Sequence, residues 1–86
     1  MKRRKMPVDV LGWFDFRGEL TPVRFQCTVG KETLEGRILQ VVGHRRERLG
    51  NENREIFTCL IALKGRKVPA ELVYLPMDHR WLLQKM

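Results

Sequence analysis

The stretch Ile56–Leu75, IFTCLIALKGRKVPAELVYL, decides the fold. Two runs of alternating apolar residues flank a short break, Lys64-Gly65-Arg66-Lys67. This pattern predicts an antiparallel β-hairpin, with Gly65 free to take the positive φ that a tight turn needs. In the first run Phe57, Cys59, Ile61 and Leu63 share one face. In the second, Val68, Ala70, Leu72 and Tyr74 share one face, and Pro69, Glu71, Val73 and Leu75 share the other. Pro69 has no N–H to give a ladder, so the start of that strand belongs at an edge or a bulge.

Upstream, Val23 to Val29 alternates just as clearly. Val23, Phe25, Cys27 and Val29 are expected to be buried, and Arg24, Gln26 and Thr28 to be wet. Val8 to Phe16, VDVLGWFDF, reads as a first strand, with Gly12 marking a bulge. Leu34 to Leu49 is ambiguous. Leu34, Ile38, Val41 and Val42 also fit a helical period, but Gly36, Gly43 and the paired valines are poor helix formers, which favours a strand over about Arg37 to Arg45. Arg46 to Arg54 is expected to be a polar loop turning at Gly50-Asn51. Pro76 to His79 forms another turn, and Arg80 to Met86 closes the sheet with Trp81 and Leu83 inward. The expected fold is therefore all-β: a small antiparallel barrel of five or six strands, SH3-like or similar, because closure protects sheet edges.

The chain has 86 residues, enough for one domain with a modest core. Residues 1–7 are expected to be a disordered basic tail, and 8–86 the barrel. The net charge is +7, but Lys2, Arg3, Arg4 and Lys5 supply four of the seventeen basic residues. The remaining thirteen face ten acidic ones, so the folded part is only mildly basic. No apolar run approaches the ~20 residues that cross a bilayer, so no membrane role is expected. The start lacks the apolar segment of a signal peptide. Cys27 and Cys59 each lie in an apolar run and are expected to be buried free thiols, which suits a reducing cytoplasm.

Pro22-Val23-Arg24-Phe25, Glu71-Leu72-Val73-Tyr74 and Trp81-Leu82-Leu83 together resemble a family of small uncharacterised bacterial β-domains. In that family a PVRF-like strand opens the fold, and an EL-Y strand and a W-L strand close it. The resemblance covers about Pro22 to Leu83 and implies a compact β fold. It implies no activity.

No catalytic constellation emerges. Asp9, Asp15, Glu47, Glu71, Asp78, His44 and His79 show no catalytic spacing. Neither cysteine has a base beside it or the exposure a nucleophile needs. No cofactor or metal motif is present, and a non-enzymatic binding module is expected. Two surfaces are candidates. Trp13, Phe14 and Phe16 put three aromatics into four residues, so adjacent ones point to opposite faces of a strand and one side is exposed unless a partner covers it. Pro69, Val73 and Leu75 form an apolar stripe opposite the core face. Both suggest a protein partner or a homodimer. Arg45, Arg46, Arg48, Lys64, Arg66 and Lys67 suggest a face for nucleic acid, since arginine grips phosphate bidentately and stacks on bases.

Overall fold

Each stretch with two-residue alternation forms a strand, and so does the ambiguous segment. The computed structural model describes residues 5–85. Six strands run in chain order: β1 (Met6–Phe14), β2 (Leu20–Val29), β3 (Glu32–Leu49), β4 (Glu52–Leu63), β5 (Arg66–Leu75) and β6 (Arg80–Gln84). Each pairs antiparallel with the next, and β6 returns to β1 to close a barrel. Among the described residues there is no helix, hence none long and apolar enough to cross a membrane.

The expected hairpin is β4–β5. Its loop is only Lys64-Gly65, with φ of 50° and 76°. Positive φ at both central residues belongs to a type I′ turn, whose twist matches that of the flanking strands. Arg66 and Lys67, expected in the break, instead open β5 opposite Leu63 and Ala62.

Besides the end of β1 at Phe14, which leaves Phe16 in the loop, and the start of β2 at Leu20 rather than Val23, three features of the strands differ from expectation. Met6 and Pro7 pair with Leu83 and Leu82, so the barrel begins before residue 8. Of the rest of the expected tail, Lys5 is exposed and precedes the strand, and residues 1–4 lie outside the described residues. Arg46–Leu49 and Glu52–Arg54 are not loop; they extend a long β3–β4 hairpin that turns at Gly50-Asn51. A ladder between polar residues was invisible because strand alternation is read from apolar side chains. Third, the bulge opposite Gly12 is Val23. Gly12 pairs with Pro22 and Leu11 with Arg24, which leaves Val23 as the extra residue. That insertion shifts parity within β2. Leu20 and Pro22 point inward, then Phe25 and Cys27 do, and Val23 is left partly exposed against expectation.

The core gathers Phe25, Phe57, Ile61, Leu72 and Leu83 with Cys27, Cys59 and Ala70. Phe25 lies across from Gly36. A Cβ at Gly36 would sit 2.2 Å from the Phe25 ring, so glycine is what lets the ring lie flat against β3. Both thiols are buried and free. Burial pushes the Cys59 thiol up to about 11 and the Cys27 thiol upward, which makes both poor nucleophiles.

Candidate functional site

β3 is eighteen residues long, but β2 covers only its first part. Pairing with β2 stops at Arg37 opposite Arg24. Beyond it β3 bulges twice, at Leu39 and Val42, and follows β4 alone. The start of β2 meanwhile follows β1. The two strands diverge, and a cleft of about 530 Å³ opens between them. Leu20, Val41 and Phe57 form its floor, and Glu19, Arg45, Arg46 and Glu55 its rim.

Polar contacts organise this mouth. The His44 ring stacks on Phe57, centroids 4.2 Å apart and planes 11° from parallel. Its Nε2 hydrogen-bonds Glu55 Oε1 at 3.0 Å, and the same oxygen lies 3.6 Å from Arg46 Nε. Sequence reasoning gives His44 only as a solvated polar residue. Cross-strand pairing of His44 with Phe57 and of Arg46 with Glu55 builds the arrangement, and no local signal announces it.

Beside the cleft, the β1–β2 corner is bare. Leu11 is 59% exposed, Trp13 66%, Phe14 60% and Phe16 95%. Trp13 and Phe14 point to opposite sides of β1, as expected, yet neither side is covered there. The loop that follows is ordered by Asp15, whose Oδ1 accepts hydrogen bonds from the Arg17 and Glu19 amides. Phe16 projects from it with the Arg17 guanidinium 5.4 Å from its ring centre.

The second apolar surface expected from sequence does not exist as a stripe. Pro69 is exposed and Leu75 half-buried, but Val73 is 2% exposed. Val73 pairs with Ile56 on one side and Leu82 on the other, all facing away from the core. Over this outer cluster Arg45 Nη1 reaches Glu71 Oε2 at 3.5 Å, and Gln84 Nε2 donates to Glu71 Oε1 at 2.7 Å. Lys85 Nζ lies 3.6 Å from the same carboxylate. The covering is supplied by the chain's own long side chains. Burial pushes the Glu71 carboxyl upward, but the Gln84 amide and the Lys85 and Arg45 charges outweigh it and hold the carboxyl below its ordinary value.

The six basic candidates do not converge. Arg45, Arg46 and Arg48 stand near the β3–β4 turn, while Lys64, Arg66 and Lys67 stand at the β4–β5 turn, the other end of β4. Arg45 is engaged by Glu47 at 3.2 Å as well as by Glu71, and Lys64 lies 3.9 Å from Glu32. Register instead aligns basic residues that sequence reasoning does not join. Arg24 faces Arg37, Arg37 faces Ala62 and Ala62 faces Lys67, one row across four strands. Arg24 was legible as part of a wet face. Arg37 lay in the ambiguous segment, so their pairing was not.

No group of three or more potential metal-ligating side chains occurs among the described residues. No family model matches the chain, no curated protein matches it, and no solved structure matches its fold.

Proposed function

We propose that this protein is a non-catalytic binding module that works through protein association at the β1–β2 corner, and that the occupant is a second copy of the chain. One observation carries this reading: Leu11, Trp13, Phe14 and Phe16 are exposed together. Soluble monomers rarely leave that much large apolar surface bare at one corner of the fold unless it binds something. The chain also offers a socket for such groups in the apolar floor of Leu20, Val41 and Phe57. Phe16 lies two residues from Gly18, which borders that cleft. In a two-fold pair each Phe16 would enter the other copy's cleft, the self-complementary form of an isologous dimer.

Sedimentation velocity of the full chain from micromolar to millimolar concentration tests this reading. A monomer–dimer equilibrium is expected, weakened by Trp13→Ala and by Phe16→Ala without loss of thermal stability. A monomer throughout that range overturns it.

A second reading, nucleic-acid binding, draws on the same exposure. Stacking requires aromatic faces open to solvent, and Trp13, Phe14 and Phe16 supply them. It ranks second because Arg45, Arg46 and Arg48 are separated from Lys64, Arg66 and Lys67, and because carboxylates already engage Arg45 and Arg46. Two buried free thiols suit a reducing, cytoplasmic setting under either reading.

A further inference from the structure

The geometry points to a phosphate-backbone site for single-stranded nucleic acid on the outer face of the sheet, built on the row Arg24, Arg37 and Lys67 beside Trp13. It rests on the second reading above and replaces the residues that reading began with.

Arg24 and Arg37 are direct cross-strand partners on β2 and β3. Like charges placed so are destabilising, and proteins normally separate them or set a carboxylate between them. Here, among the described residues, neither arginine makes an ion pair. Glu35 sits two residues along β3 from Arg37, at the same groove, and it too stands outside the ion pairs. Asp9 borders Arg24 as well, so two carboxylates moderate the repulsion, yet among the described residues neither forms an ion pair with Arg24 or Arg37, and both guanidinium groups remain open to a ligand's phosphates.

The rest of the row suits an extended polyanion. Ala62 follows Arg37 and leaves a shallow groove of about 410 Å³, bordered by Arg24, Arg37 and Lys64. Lys67 stands opposite Ala62, one strand beyond the groove in the same row. With strands ~4.8 Å apart, Arg24 and Lys67 stand about 14 Å apart across the sheet, a span of several phosphates rather than one ion.

At the other end, Leu11 faces Arg24, and Trp13 follows on the same side of β1. An exposed indole beside a basic track is the combination by which proteins hold single strands, with phosphates on the cations and a base on the ring. A duplex would keep its bases stacked away from Trp13, so the site selects unpaired nucleotides.

The test is fluorescence anisotropy with a labelled mixed-sequence DNA single strand and the full chain, across a salt series. Arg24→Gln/Arg37→Gln is expected to weaken binding at least tenfold at moderate salt. It should also flatten the slope of log affinity against log salt by about 1.4, at ~0.7 for each phosphate no longer neutralised. Arg46→Gln/Arg48→Gln removes the same charge elsewhere and should change affinity far less. The Arg24/Arg37 variant should melt no lower than wild type, because it relieves repulsion. Equal losses in the two double variants, or a larger loss in the second, overturn the row while leaving nucleic-acid binding in place. Failure of the wild type to bind at low salt overturns both. Binding to phosphatidylserine vesicles that depends on Arg24 and Arg37, without oligonucleotide binding, overturns the assignment to nucleic acid.

Discussion

The β4–β5 and β1–β2 hairpins are both rich in large apolar side chains, and the fold treats them in opposite ways. In β4–β5 the inward residues Phe57, Ile61 and Leu72 are buried, and so are Ile56 and Val73 on the outer side. At the tip of β1–β2, Trp13, Phe14 and Phe16 are all exposed. Composition does not separate the two hairpins; neighbours do. β4 and β5 are each flanked by a strand on both sides, and the Arg45–Glu71–Gln84 contacts cover their outer cluster. The end of β1 has only β2 beside it, because β6 pairs no farther than Val8. Apolar surface is bare where the barrel stops enclosing it, and that is where binding is proposed.

The largest expected effect breaks the buried side of this contrast. Leu72 is fully enclosed, and Leu72→Ala should cost about 3 kcal/mol in urea unfolding. For a domain of this size that is a large share of total stability.

Gly36→Ala should cost about 2 kcal/mol by driving a methyl into Phe25. Elsewhere in a strand the same change should help, since glycine is costly there by about 0.5–1 kcal/mol. In a Phe25→Leu background the penalty should shrink, and unchanged additivity would show that the Phe25 ring is not its cause.

The ion pairs of Glu71, beside Val73 on the outer face, can be weakened by protonation. The folded state holds the Glu71 carboxyl below its ordinary value of 4.5. Its contribution is therefore fully present above that value and disappears as pH falls through the folded one. Glu71→Gln should cost about 1–2 kcal/mol at neutral pH and progressively less in acid. A variant whose deficit persists at low pH would locate the loss in packing rather than charge.

The smallest effect on stability belongs to the exposed corner. Phe16→Ser should change unfolding by no more than about 0.5 kcal/mol. A larger loss would mean that Phe16 packs against its own chain and is not free for a partner.

The sequence made some of this legible and hid the rest for identifiable reasons. The β4–β5 hairpin, its glycine turn and the inward positions of Phe57, Leu72 and Leu83 could be read locally, because strand alternation and turn chemistry are short-range. The bulge was legible at Gly12 but not at Val23, since a bulge belongs to a pair of strands and only one gives a sign of it. Val73 looked like an exposed stripe because alternation assigns it to a face without saying what lies over that face. The basic candidates were grouped by proximity in the chain, and β4 then held the groups at its two ends.

The sequence by itself determined that the chain is a small antiparallel β-domain with a mixed apolar core and a basic excess concentrated at its start. These follow from side-chain period, glycine and proline placement, and charge count, which each residue carries alone. Tertiary structure decided which aromatics stay bare, where the cleft opens and that Arg24 meets Arg37. Those outcomes depend on register and on where β2 parts from β3, and register is a relation between distant residues that no local pattern encodes.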